Sequence, residues 1–168
     1  MKAWPLLVLL AAAGCASDPT RGYALVSTFP GGASTVAVDI FESRDYDRAM
    51  AFELADALIK EIQARTPYKV TSTAHADTIL TGRIRSVERQ QLSKSPLTGL
   101  SEEVSLGVTI DMQWRDLRNG QTLLKVDALT AHGLFVPSTP TSEPIEIGQF
   151  NAAQQLAREI VDEMRKEW

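Results

Sequence analysis

Hydrophobic and polar residues alternate with two different periods along the chain, and each change of period marks a new element. Residues 35–41 alternate as in a β-strand, with Ile40 and two valines on the face that we expect to be buried. From about Asp47 onwards, apolar residues recur every three or four positions, which predicts an amphipathic helix. This helix should end near Arg65, because Pro67 disfavours helical geometry at the residue before it.

Two longer strands follow the predicted helix. Residues 76–90 form the first, and residues 103–117 give the clearest strand pattern in the chain. Every even-numbered position from Val104 to Trp114 is apolar, whereas most odd-numbered positions are polar. A strand with this pattern is buried on one face and solvated on the other. We therefore expect the even-numbered side chains, including Ile110, to contact the helices.

The loop after this strand sets the register of a predicted hairpin. A two-residue loop at positions 119–120 would place Trp114 opposite Lys125, whereas a three-residue loop at 118–120 with a left-handed glycine places it opposite Leu124. Because a slip of one residue exchanges the two faces of a strand, burial of the apolar face favours the three-residue loop. The same register sets Met112 opposite Val126, Ile110 opposite Ala128, and Asp111 opposite Asp127.

The remaining chain completes a two-layer pattern. Residues 121–131 form a fourth strand, residues 133–144 a loop rich in proline, serine and threonine, and residues 147–167 a second amphipathic helix. The element order is β-α-β-β-β-α. A sheet with one apolar face and helices with one apolar stripe pack as layers. The predicted fold is therefore α+β, a two-layer α/β sandwich with two helices on one face of a four-stranded mixed sheet.

The N-terminus has the pattern of an export signal. Residues 1–14 comprise a lysine near the start, a short apolar run and a small-residue exit, which is too short to persist as a membrane helix. Cys15, the only cysteine, follows directly. The segment resembles a bacterial lipobox, although Ala12 stands where leucine is usual. That resemblance implies acylation of Cys15, with palmitate as the typical chain; the alternative is an ordinary cleaved signal that leaves a free thiol.

This interpretation divides the chain into a signal peptide at 1–14, a lipidated tether at 15–22 and a single domain at 23–168. Ala16 follows the cysteine where an aspartate would resemble the inner-membrane retention signal, so outer-membrane localisation is favoured. Removing 14 of the 168 residues leaves 154, an ordinary size for one domain. The net charge of −4 argues against nucleic acid as a partner.

Catalytic and metal-binding patterns are missing from the sequence. The two histidines, His75 and His132, have no spacing typical of ligands, and Cys15 is assigned to the anchor. Gly31-Gly32 precedes a strand rather than a helix, so it does not form a phosphate loop. We therefore expect no cofactor and no enzymatic activity. The paired Asp111 and Asp127 could form a metal or acid–base site, but neutralisation of Asp111 by Arg85 on the neighbouring strand is the favoured interpretation.

Several stretches, taken in order, resemble the LptE family of lipopolysaccharide-assembly lipoproteins. They are residues 22–23, 35–41, 65–70, 76–84, 114–116 and 157–168. The resemblance implies a lipoprotein on the periplasmic face of the outer membrane, which plugs and helps assemble an LptD-like β-barrel translocon that delivers lipopolysaccharide to the cell surface. It leaves open whether lipopolysaccharide is bound directly. The alternative function is a stand-alone periplasmic lipoprotein that binds a lipid or polymer.

The resemblance gives two sets of candidate site residues. The first set is basic and would contact lipopolysaccharide phosphates from one side of the sheet: Arg83, Arg85, Arg89, Lys94 and Lys125. The alternative is a solvated strand face whose arginines pair with nearby acids. The second set is apolar, lies in the loops at 93–101 and 133–144, and would bind the barrel: Leu97, Leu100, Leu134, Phe135 and Val136. The alternative is that these loops fold back and cap the sandwich.

Overall fold

A computed structural model describes residues 32–43, 48–97, 99–138 and 140–165, so the predicted signal peptide, Cys15 and the tether lie outside the described residues. Within these ranges the chain forms five strands and two α-helices, with a short 3₁₀ helix at Thr73–His75. The elements in chain order are β1 (Thr35–Val38), α1 (Arg48–Arg65), β2 (Lys69–Val70), β3 (Thr78–Lys94), β4 (Ser101–Asp116), β5 (Thr122–Phe135) and α2 (Ile145–Met164).

The strands form one mixed sheet in the order β2-β1-β3-β4-β5. β1 runs parallel to both of its neighbours, and β3, β4 and β5 are antiparallel. The predicted α+β architecture, with two helices and a mixed sheet, is confirmed. The sheet has five strands rather than four, because Lys69–Val70 adds a strand beside β1. Two residues are too few for an alternating pattern to be recognised in the sequence.

The core lies between the sheet and the two helices, which pack against each other. All six even-numbered side chains of β4 from Val104 to Trp114 are buried, so the prediction for this strand is confirmed. Trp114 is fully buried and meets Tyr68 edge-on, with ring centroids 5.6 Å apart. No helix of the described ranges packs against the other sheet face, which we call the open face.

The end of β1 differs from its prediction. Ile40, expected in the core, is half exposed, whereas Phe41 is almost completely buried. β1 ends at Val38, and the chain then follows β3 through hydrogen bonds from Asp39 N–H to Leu80 O and from Glu42 N–H to Gly82 O. The regular alternation is lost where the strand ends, so the buried position moves by one residue.

The β4–β5 hairpin has the predicted register over its central part. Trp114 faces Leu124 and Met112 faces Val126, as predicted. Ile110 faces Leu129 rather than Ala128, because a bulge in β5 inserts one residue between these pairs. The extra residue falls at Ala128, whose φ of 58° is unusual for a residue other than glycine.

The hairpin loop is one residue longer than predicted. It spans residues 117–120 and is closed by Asp116, whose N–H donates to Gln121 O and whose carbonyl accepts from Gly120 N–H. Gly120 is left-handed, as expected, with φ of 74°. The extra loop residue is Leu117, whose N–H donates to Asp77 O at 2.8 Å instead of joining the hairpin. An irregularity near Trp114 restores the register.

α2 lies directly on the C-terminal end of β5. A Cβ on Gly133 would lie 2.6 Å from Ala152 N, and a Cβ on Gly148 would lie 2.7 Å from the ring of Phe135. The two glycines therefore allow a close approach of helix and strand. Phe135 is buried in this contact and belongs to β5, so its predicted position in an exposed loop is wrong.

Candidate functional site

Two arginines converge on one carboxylate on the open face of the sheet. Arg83 Nε lies 2.9 Å and Arg85 Nε 2.6 Å from the carboxylate of Asp111 on the adjacent strand β4. From the other side, Ala128 N–H donates to Asp111 Oδ1 at 3.0 Å. The predicted neutralisation of Asp111 by Arg85 is confirmed. We call Arg83, Arg85 and Asp111 the arginine–aspartate cluster.

Two bulges, one on each side of Asp111, build this cluster. The β3–β4 register shifts by one residue between Ile84 and Ser86, so Arg85 is the extra residue. The β5 bulge places Ala128 beside the same carboxylate. Bulges re-aim side chains, and here they direct two arginines and one backbone N–H at a single acceptor. The bulges depend on pairing between distant strands, so the sequence pattern gave no sign that Ala128 participates.

Hydrogen bonds to its charged form stabilise the Asp111 carboxylate. The Arg85 guanidinium, the N–H of Ala128 and the Arg83 guanidinium hold the pKa of Asp111 well below its usual range. Reciprocally, the contact with Asp111 raises the pKa of Arg85. Asp111 is therefore ionised and fully engaged, and neither a general acid nor a free metal ligand is available at this position. Within the described ranges, no three histidine, cysteine, aspartate or glutamate residues are grouped as metal ligands.

A shallow cleft of about 280 Å³ borders the cluster. Lys125 Nζ, on its far side, lies 3.3 Å from Asp127 Oδ2. Glu42, which sequence analysis did not select, enters the cleft because the chain after β1 pairs with β3 at Arg83. Two basic and three acidic side chains therefore line the cleft: Arg83, Lys125, Glu42, Asp111 and Asp127. The cleft carries no excess of positive charge.

Both arginines use Nε to contact Asp111. In the described part of the chain, no hydrogen bond engages the Nη groups of Arg83 or Arg85. The side chains are 62% and 43% exposed, respectively, so these groups face solvent. The arrangement provides two positioned guanidinium groups, which could each bind an anion through parallel hydrogen bonds.

The five basic residues predicted to share one patch do not lie together. Arg83 and Lys125 line the cleft, and Arg85 lies next to it through the contact with Asp111 that it shares with Arg83. Arg89 pairs with Leu106, whose side chain is buried under the helices, so the register assigns Arg89 to the opposite face from Arg83. The prediction that Arg89 shares one side of the sheet with Arg83 is wrong, because the bulge at Arg85 exchanges the faces of the downstream strand. Lys94 lies at the end of β3, about 36 Å along the strand from Arg83.

The predicted apolar set also divides. Leu97 and Leu100 lie in the turn between β3 and β4 and are 94% and 56% exposed. Leu134, in β5, is also exposed, whereas Val136 is half-buried after the strand. Phe135 is buried beneath α2, as the alternative of a loop folded onto the sandwich predicted. Of the five predicted apolar residues, Leu97 and Leu100 at the β3–β4 turn are therefore the most exposed.

No helix in the described ranges is long and apolar enough to span a membrane. Of the described residues, 32 and 33 lie closest to the N-terminus, and the first strand begins at Thr35. The carbonyl of Gly32 accepts a hydrogen bond from Arg118, which also pairs with Asp116 at 2.6 Å. These contacts fix the point at which the N-terminal segment joins the domain, beside the β4–β5 loop.

Comparison with known proteins identifies one matching family and several solved structures with a similar fold. The model of the family LptE, described as lipopolysaccharide-assembly, matches residues 33–167. Among curated proteins, no sequence matches at a significant level.

Solved structures with similar folds share little sequence with this chain. A protein of Xanthomonas campestris, XCC0632, is 10% identical with a TM-score of 0.55, covering 79% of this chain and 84% of its own. The hypothetical protein CT253 of Chlamydia trachomatis is 11% identical with a TM-score of 0.53, covering 80% and 96%. A protein of Caulobacter crescentus that is provisionally described as a lipoprotein is 17% identical, with a TM-score of 0.50. The match covers 76% of this chain and 87% of that one. At these identities the likeness extends to the fold alone.

Proposed function

Because this chain belongs to the LptE family of lipopolysaccharide-assembly proteins, we propose that it is an outer-membrane lipoprotein that assembles with and plugs an LptD-like β-barrel translocon. The translocon would deliver lipopolysaccharide to the cell surface. The match over residues 33–167 is the observation that carries this proposal. In the proposed function, acyl chains on Cys15 hold the domain on the periplasmic face of the outer membrane. The role of the protein is structural rather than catalytic.

The barrel would contact the apolar tip of the β3–β4 hairpin. Leu97 and Leu100 gain little from the core of their own domain, because most of their surface faces solvent. A protein wall could bury both, together with Leu134 on the open face. Phe135 is left out of this surface because it packs under α2. The proposed contact is small in area, so the open face would have to contribute further surface to a stable complex.

Lipopolysaccharide phosphates would bind at the arginine–aspartate cluster. Arg83 and Arg85 present Nη groups that are positioned by Asp111, and Lys125 lines the cleft together with Arg83. Arginine matches phosphate oxygens through paired hydrogen bonds, so geometry rather than net charge would provide the affinity. Arg89 and Lys94 lie away from this cleft and are not part of the proposed contact.

Purification from detergent-solubilised membranes tests the assembly proposal. The wild-type chain should carry an acylated Cys15 at its mature N-terminus and bring with it a heat-modifiable β-barrel protein. Cys15→Ala should lack the acyl mass and no longer fractionate with the outer membrane. Cleavage at another site without an acyl group would contradict the anchor. A protein that retains lipopolysaccharide but never captures a barrel would support the alternative of a stand-alone lipoprotein.

The phosphate proposal has a matched control on the same sheet face. Arg83→Gln and Arg85→Gln should each weaken lipopolysaccharide binding by about tenfold, the loss expected for one charge-assisted hydrogen bond. Arg115→Gln removes an exposed arginine from β4 outside the cleft and should leave binding unchanged. Equal losses in all three variants would indicate a general effect of charge rather than a site.

A further inference from the structure

Beyond the bulge at Arg85, the strand register places nine residues in a three-by-three grid on the open face. Each row crosses the three antiparallel strands, and each column follows one strand. The rows are Ser86-Thr109-Thr130, Glu88-Gly107-His132 and Gln90-Ser105-Leu134. Side chains of directly paired residues point to the same face, so the grid forms one continuous surface.

Gly107 occupies the centre of this grid. Its missing side chain leaves a cleft of about 290 Å³, which is bordered by Glu88, Gln90, Thr109 and His132 among others. A Cβ on Gly107 would lie 3.2 Å from Cε1 of His132, so the imidazole ring extends over the edge of the glycine. The cleft is therefore formed by an empty position within a row of larger side chains.

The cleft presents neutral groups that both donate and accept hydrogen bonds. Thr109 Oγ1 lies 2.8 Å from Thr130 Oγ1, and Ser105 Oγ lies 3.3 Å from His132 Nδ1. Gln90 adds an amide with two donors and one acceptor. Such groups suit a ligand that offers several hydroxyls at once.

Charge distinguishes this cleft from the arginine–aspartate cluster. Among the nine described grid positions, Glu88 carries the only permanent charge, and no salt bridge in the described part of the chain engages it. Arg89 borders the cleft, but its register assigns the side chain to the helix-covered face. A free carboxylate disfavours phosphate and accepts hydrogen bonds from hydroxyl groups.

We propose that the Gly107 cleft binds a saccharide ring. A pyranose has hydroxyls at its edge and C–H groups on its faces, and the cleft matches both. The hydroxyl, amide and carboxylate groups serve the edge, whereas the His132 ring serves a face. The volume of about 290 Å³ is sufficient for one such ring. The inference rests on the proposed function in taking the sugars of lipopolysaccharide as the expected source.

Calorimetric titration of the full chain in detergent tests this site with three probes. They are deacylated and dephosphorylated core oligosaccharide, maltohexaose, and inorganic phosphate. The oligosaccharide should bind the wild type, and Gly107→Ala and His132→Ala should each weaken binding by about tenfold. Gly107→Ala keeps the fold, because only the ring of His132, an exposed side chain, must shift slightly. The control His75→Ala changes the other histidine, in the 3₁₀ helix, and should leave binding unchanged.

Each outcome decides the proposal. Binding of the oligosaccharide alone supports a site for lipopolysaccharide sugars, and binding of both sugars supports a general saccharide site. Failure of both sugars, or equal binding by the Gly107→Ala variant, overturns it. Phosphate binding that is lost in His132→Ala also overturns it. If intact lipopolysaccharide binds while the dephosphorylated oligosaccharide does not, the cleft assignment fails and the proposed function stands.

Discussion

The ring of Phe41 lies directly over Gly82. A Cβ on Gly82 would lie 2.7 Å from Cδ1 of Phe41 and 2.5 Å from the carbonyl oxygen of Asp111. The glycine thus allows the chain after β1 to bring a buried aromatic ring against β3. The same stretch, which three backbone hydrogen bonds join to β3, places Glu42 at the cleft beside Arg83.

Gly82→Ala should therefore destabilise the fold by about 1–3 kcal/mol, because both the ring and a neighbouring backbone must shift. Gly107→Ala provides the control: its added methyl group meets only the edge of His132 and should cost less than about 1 kcal/mol. Urea unfolding measures both values. Equal losses in the two variants would show that the Phe41 contact is not what makes Gly82 necessary.

Ile110→Ala should lower the free energy of unfolding by about 2–5 kcal/mol, because Ile110 is fully buried in the centre of β4. Thr109→Ala, at the next residue on the open face, removes one hydroxyl contact with Thr130 and should cost about 0.5–1.5 kcal/mol. The pair tests which face of β4 contacts the helices. A larger loss at Thr109 than at Ile110 would contradict the assignment.

Asp77 should make stability depend on pH in the acid range. The N–H of Ser34, followed by the hydroxyl and N–H of Thr35, lowers the pKa of Asp77 to about 2. Since the folded pKa lies below the unfolded value, near 4, the stabilisation is complete above about pH 5 and is lost as the pH falls towards 2. Asp77→Asn should flatten this decline in the free energy of unfolding between about pH 5 and about pH 3. Asp127→Asn, at an exposed position, should leave the decline as steep as in the wild type.

Leu97→Glu should abolish co-purification with the barrel while leaving the melting temperature unchanged, because the side chain is 94% exposed. Phe52→Glu is the matched control, since it places the same charge at an exposed apolar position on α1. It should retain the barrel. A lower melting temperature for Leu97→Glu, or capture of the barrel by both variants, would rule out the hairpin tip as the contact.

The regular parts of the fold were accessible from the sequence because their periodicity is local. The even-numbered face of β4 and the Trp114–Leu124 pairing followed from alternation and burial alone. The path of the chain after β1 could not be predicted in this way. The burial of Phe41 instead of Ile40 depends on space provided by Gly82, about forty residues later.

The candidate sites were less accessible, because each depends on an irregularity in strand pairing. Alternation correctly predicted that Arg83 and Arg85 share one face of the sheet. The bulge at Arg85 then places Arg89 on the opposite face from the one predicted. The same bulge brings Glu88 into line with Gly107 and His132. Bulges arise from pairing between separate strands, and no periodic pattern within one strand records them.

The position of β1 inside the sheet limits the order in which the chain can fold. β3, β4 and β5 pair with their neighbours in sequence and can form as consecutive hairpins. β1 pairs with β3 only after the whole of α1 and β2 has been made, so its contacts close a loop of about forty residues. During synthesis from the N-terminus, β1 therefore lacks its partner strand until β3 has been made.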